Sequence, residues 1–145
     1  VKITKDWREA YYTEFSHNKG SRPLVVGYAT SPVAEVFYGK GKYSTPPTGN
    51  LFLAGGVFRQ VEGAAVLKGA QQPVLAAKLV QYLQTPAVQK AIPSEMWVYP
   101  AVKGVALPEV YQHDVAPKKA YNPSETEIAQ HQKRWVSQWI RVVLK

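Results

Sequence analysis

Proline placement constrains this chain more than any other feature. The prolines at 32, 73, 86 and 123 stand beside stretches with helical periodicity, where a residue without an N–H is tolerated because the first turn leaves that donor unpaired. Pro32 opens a short helix through Tyr38. Pro73 opens a stronger one, with Leu75, Leu79 and Leu83 on one face and Val80 beside them. Thr85-Pro86 ends that helix and begins another over residues 87–91, and Asn122-Pro123-Ser124-Glu125 begins a long final helix with Ile128, Trp135, Trp139 and Val142 on its apolar face. Asp6-Trp7-Arg8-Glu9 is a fifth start, with Asp as cap and Glu three residues on. Trp7, Tyr11 and Phe15 then share a face until Asn18-Lys19-Gly20-Ser21.

Between these helices lie strand-like runs. Leu24-Val25-Val26-Gly27-Tyr28 is apolar throughout, as a strand buried on both faces would be, and stops at Ala29-Thr30-Ser31-Pro32. Residues 51–53 and 58–67 also read as strands. Gly39-Lys40-Gly41 and Ser44-Thr45-Pro46-Pro47-Thr48-Gly49-Asn50 mark a loop. The alternation predicts an α/β fold without internal repeats. Ile92-Pro93-Ser94-Glu95-Met96-Trp97-Val98-Tyr99-Pro100 fits neither helix nor strand cleanly, and the stretch from there to Tyr121 reads as irregular.

At 145 residues, 46% hydrophobic and 19% charged, the chain has the composition of one globular domain. It holds no apolar run near the ~18 residues of a membrane span, and its first residues, VKITKDWREAYY, contain no hydrophobic signal region. The absence of cysteine excludes disulfides, thiolate metal sites and a Cys nucleophile, and is neutral as to compartment. The net charge of +8 invites an anionic partner, but Lys2/Lys5, Lys40/Lys42, Lys118/Lys119 and Lys133/Arg134 are dispersed and belong to no nucleic-acid motif, as on a solvated basic surface.

Catalytic chemistry finds little support. His17, His113 and His131 lack metal-ligand spacing, Gly55-Gly56 lacks the Lys and Ser/Thr of a phosphate loop, and Ser31 has no motif-linked base. A ferric site on Tyr11-Tyr12 is disfavoured because neighbours on a helix point about 100° apart. Aromatics offer more. Trp7 stands at a helix start, Tyr28 ends a buried strand and Trp97 lies in an irregular tract, positions from which rings line clefts in open α/β proteins. By pattern alone, packing inside a core is the better account of them.

The order Thr4-Lys5-Asp6-Trp7-Arg8-Glu9-Ala10-Tyr11, Leu24 to Pro32, Gln60-Val61-Glu62, Gln72-Pro73 through Gln89, IPSEMWVYP and Trp135…Trp139 resembles the periplasmic thiamine-binding proteins of ABC importers, within the type II periplasmic binding proteins. The resemblance implies the C-terminal portion of a two-lobed α/β fold. Residues 1–58 would be part of one lobe, and residues 59–145 a hinge crossing at 60–62, part of the other lobe and the C-terminal helix, with the N-terminal half absent. It implies a receptor rather than an enzyme, located in the periplasm or otherwise outside the cytoplasm. No metal or cofactor is implied; thiamine, its monophosphate or its diphosphate would be the transported ligand.

By the same resemblance Trp7, Tyr28 and Trp97 surround that ligand, with Ser31, Tyr38 and Tyr99 as secondary contacts. A fixed thiazolium charge and a flat aminopyrimidine suit stacking and cation–π attraction. The implied partners are the permease and ATPase complex and the missing half of the protein, with self-association of the chain through uncovered surface and no nucleic acid. The chain departs from the family at Ala34, where family members can carry a further cleft tyrosine, a place that Phe37 or Tyr38 one turn later could fill. Tyr28-Ala29, where ferric-ion binders carry paired tyrosines, argues against iron. The rival expectations are a same-fold receptor for polyamine, phosphonate or metal, and a basic nucleic-acid-binding domain.

Overall fold

Asp6 starts the first helical segment as its side chain dictates. In the computed structural model, which describes residues 1–144, its Oδ1 accepts the Glu9 N–H at 2.8 Å. The reciprocal bond reaches one residue earlier than a capping box predicts, from the Lys5 N–H to Glu9 Oε2 at 3.1 Å. Helix α1 (Trp7–Glu9) passes directly into a π turn (Ala10–Glu14) and then a 3-10 turn (Ser16–Asn18). Termination falls where the sequence places it. Lys19 is left-handed at φ 69°, and Gly20 crosses so close to the Glu14 carbonyl that any Cβ would overlap it.

The proline-marked helices form as α2 (Ser31–Tyr38), α3 (Pro73–Leu83), α4 (Pro86–Glu95) and α5 (Glu125–Val143), joined by a 3-10 turn at Glu109–His113. Each of α2, α3 and α4 has its proline in the first turn. At the head of α5, Ser124 Oγ accepts the Glu127 N–H at 3.2 Å. Helix α4 runs past the expected end at residue 91, carrying Pro93 inside it. An interior proline loses a helical hydrogen bond and crowds the preceding turn. Here that cost is offset by burial, since Pro93 is among the most enclosed side chains and its carbonyl accepts the Tyr111 hydroxyl at 2.9 Å.

The expected strand segments 24–28, 51–53 and 58–67 do not pair into a sheet. Among the described residues β-pairing is limited to two isolated parallel bridges, Phe15 with Arg22 and Phe58 with Tyr121. A run that is apolar on both faces becomes a strand only when neighbours take its backbone donors and acceptors along both edges. Residues 24–28 have no such neighbours, and Leu24 and Val26 are exposed.

The chain divides into two compact units interleaved in sequence. One holds Val1–Gly27, Phe52–Arg59 and the segment from Pro117; the other holds Tyr28–Leu51 and Gln60–Ala116. The sequence reading instead placed one division between residues 58 and 59. In the first unit Tyr11 is buried, stacked on Trp7 at 4.8 Å and tilted against Phe15 at 5.5 Å. In the second, Val33, Tyr111, Thr30, Gln89 and Pro93 are buried.

Gln89 ties α4 to the connector that follows Tyr99. Its Nε2 donates to the Leu83 carbonyl at 2.8 Å, and its Oε1 accepts from the Ala101 and Val102 N–H groups at 2.8 and 3.3 Å. Gln89→Leu keeps the bulk but strips partners from three backbone groups. It should lower stability by about 1–3 kcal/mol, read as a lower urea midpoint at unchanged slope.

Candidate functional site

Trp97 adopts a left-handed backbone, φ 58°, a conformation that costs a bulky residue of order 1–3 kcal/mol and persists only where its surroundings enforce it. Two hydrogen bonds enforce it here. The Thr30 hydroxyl donates to the Trp97 carbonyl at 2.6 Å, and the indole Nε1–H donates to Tyr38 Oη at 3.1 Å. Thr30 is buried at 3% exposure. The turn before α2 that ends the Leu24–Tyr28 run is thereby tied to the connector that follows α4.

The indole is surrounded by rings. It stacks on Tyr111 at 6.2 Å with 11° between planes, and meets Phe37 and Tyr38 edge-on at 5.3 and 5.5 Å. Tyr99 extends the cluster, 6.1 Å from Tyr111, and donates its hydroxyl to Asp114 Oδ2 at 2.6 Å. Phe37, Tyr38 and Tyr99 remain exposed. Burial, and secondarily the Asp114 charge, pushes the Tyr111 phenol up to about 12. Burial raises Tyr99 further still, helped by its hydrogen bond to Asp114 and by the charges of Asp114 and Tyr111. Both phenols therefore keep their protons at neutral pH and act as hydrogen-bond donors.

Three of the six residues named from sequence, Tyr38, Trp97 and Tyr99, belong to this cluster. Ser31 and Tyr28 belong to the adjoining turn, where the Tyr28 N–H donates to Ser31 Oγ at 3.3 Å and the Ser31 N–H to the Tyr28 carbonyl at 3.0 Å. The Tyr28 side chain is half exposed. Asn50, at the end of the proline-rich loop, donates its Nδ2 to the Ala29 carbonyl at 2.7 Å. Trp7 lies in the other unit, in a stack with Tyr11 and an edge-on contact with Tyr12 at 5.7 Å. Sequence reasoning missed Thr30, Tyr111 and Asp114. Thr30 read as a turn hydroxyl, and the tract holding the other two has no periodicity to mark a face. A separate open groove of about 420 Å³ on α3, lined by Ala70, Gln72, Leu75, Ala76 and Leu79, offers no charged group to orient a ligand.

No family model matches the chain. Over 143 residues it is 35% identical to the thiamine-binding periplasmic protein of Escherichia coli (strain K12), aligning 99% of this chain with 41% of that protein. It is 32% identical to the protein of the same name from Brucella suis, over 95% of this chain and 40% of that one. This chain is similar to the periplasmic thiamine-binding proteins. The resemblance expected from its motifs is borne out, and the chain spans about two fifths of the length of these curated relatives. A solved periplasmic thiamin binding protein also matches, at 35% identity and a TM-score of 0.48, over 51% of this chain and 23% of that one.

Two predictions follow from the geometry of the cluster. Thr30→Val, nearly isosteric, leaves the Trp97 carbonyl without its donor; it should cost about 1–3 kcal/mol and change the near-ultraviolet circular dichroism of the ring cluster, while Thr30→Ser restores both. A raised Tyr111 pKa means that the folded state holds the phenol proton more tightly than the unfolded chain. Its contribution to stability is therefore complete below pH 10 and lost as pH rises through about 12. Thermal melts across that range should fall more steeply for the wild type than for Tyr111→Phe.

Proposed function

We propose that this chain is the C-terminal portion of a two-lobed, type II solute-binding protein of an ABC importer, which takes thiamine or its phosphates outside the cytoplasm and delivers the ligand to a membrane permease and its ATPase. The observation that carries this reading is the 35% identity along 99% of the chain to a thiamine-binding periplasmic protein. The ring cluster around Trp97 supports it. A flat aminopyrimidine and a thiazolium cation gain from stacking and from cation–π attraction, worth ~0.5 to 2 kcal/mol or more when water is excluded. Trp7, Tyr28 and Trp97 are the ligand contacts on this reading. Ser31, Tyr38 and Tyr99 line or orient these, and Tyr38 fixes the edge of the indole.

On this reading the protein binds and releases without covalent chemistry, and closure of two lobes about hinge segments at 60–62 traps the solute. The remaining length of the relatives supplies the opposite cleft wall. It also covers apolar side chains that are exposed here, such as Leu75 and Leu79 on α3 and Trp139 on α5. The chain alone should therefore bind weakly and associate with itself through those faces.

Titration of tryptophan fluorescence with thiamine tests the assignment, using the chain joined to the rest of a two-lobed receptor. Saturable quenching that disappears in Trp97→Ala is expected. Absence of quenching, or quenching indifferent to Trp97, rejects it.

A further inference from the structure

Asp114 is the one feature of the ring cluster that stacking leaves unexplained. One of its carboxylate oxygens accepts the Tyr99 hydroxyl at 2.6 Å. The other, Oδ1, is buried with no hydrogen-bond partner among the described residues. A carboxylate oxygen withdrawn from water and left without a donor is costly, and where such a group occurs in a folded protein it calls for a compensating charge or an ion. Among the described residues no basic side chain forms an ion pair with Asp114.

The charge lies beside the rings. Asp114 follows the 3-10 turn that carries Tyr111, and its N–H donates to the Tyr111 carbonyl at 2.9 Å. Its field acts on the phenols of both Tyr99 and Tyr111, which stay protonated and so do not cancel it. Tyr111 in turn stacks on Trp97. A negative charge close to the rings adds to the attraction of their quadrupoles for a cation.

We propose that Asp114 is the charge-selecting residue of this cluster: acting through Tyr99 and Tyr111, its carboxylate, with one oxygen unpartnered, makes the Trp97 site take a flat cation in preference to a neutral molecule of the same shape. The inference deepens the thiamine reading and rests on it for the natural ligand, whose thiazolium is such a cation. Asp114 touches the rings and not the ligand, so it acts as a positioning charge rather than as a contact.

The test uses the whole chain and two probes of matched shape, N-methylpyridinium and pyridine at neutral pH, with the Trp97 contribution isolated by subtracting the response of Trp97→Phe. Quenching of Trp97 should show tighter association for the cation. Asp114→Asn keeps an acceptor for Tyr99 and removes only the charge. It should cut the cation's association constant by about three- to tenfold, the effect of a unit charge across one or two rings in partly wet surroundings, and leave pyridine unchanged. Equal losses for both probes would make Asp114 merely structural, and no loss for either would make its charge irrelevant; each overturns the proposal. Thiamine titrated in parallel, against the chain joined to the rest of a two-lobed receptor, separates the two ideas. A cation preference lost in Asp114→Asn without saturable thiamine binding would uphold charge selection and reject the thiamine assignment.

Discussion

The hydrogen bond from Thr30 to the Trp97 carbonyl is the constraint on which the ring cluster depends. It joins positions 67 residues apart, and it holds a large aromatic residue in a backbone region that such residues avoid. Without it, Trp97 would relax toward an extended or helical conformation and its side chain would leave in another direction. The edges with Phe37 and Tyr38 and the stack on Tyr111 would then be lost together. The bond is short and its donor is buried, so water does not compete for the carbonyl, and an unmade bond there is expensive. The left-handed turn at Trp97 is thus a consequence of where α2 begins and α4 ends, since each of those helix termini is set by its own sequence.

Those termini were legible. Asp6, Ser124 and the first-turn prolines of α2, α3 and α4 act over a few residues, through donors that a helix end always leaves open, and they position helices regardless of the rest of the molecule. The strand segments were not legible in the same way. Leu24 to Tyr28 has the composition of a central strand, but a strand exists only through partners at its edges, and none of the described residues pairs with it in that way. Helix α4 shows a third case. The helix read from the sequence ended at residue 91, two residues before Pro93, whereas the burial of Pro93 and the bond from Tyr111 to its carbonyl, both tertiary, offset the local cost of an interior proline and allow the helix to reach Glu95. Of the candidate site, the large rings were visible as residue types in unusual places. Their supports were not, because Thr30, Tyr111 and Asp114 differ from ordinary turn and loop residues only in what they touch.

The same distinction explains how thin the interior is. The buried apolar side chains include Tyr11, Val33 and Tyr111, while α3 and α5 bury none of their residues fully despite clear apolar faces. An amphipathic helix draws most of its stability from the surface it packs against, and not from its own propensity. In this chain, spanning about two fifths of its curated relatives, those faces are written in the sequence as if for packing that the described residues do not themselves provide. The polar ties, through Gln89, Thr30 and Asn50, accordingly carry an unusually large share of the local order in the second unit.

Charge completes the argument. A chain with a formal net charge of +8 is an unlikely host for a cation if the whole surface is averaged, and the sequence alone offered no reason to look for one apart from resemblance. Averaging is the wrong operation. Exposed lysines separated from a site by more than the screening length, roughly 8 Å at physiological ionic strength, contribute little to the potential inside it. A carboxylate with one oxygen out of contact with water, hydrogen-bonded to a phenol of the cluster, contributes more, because it is close. On the charge-selection proposal, what a ligand at Trp97 would meet is governed by Asp114 and the rings of Tyr99, Tyr111 and Trp97 more than by the dispersed positive surface.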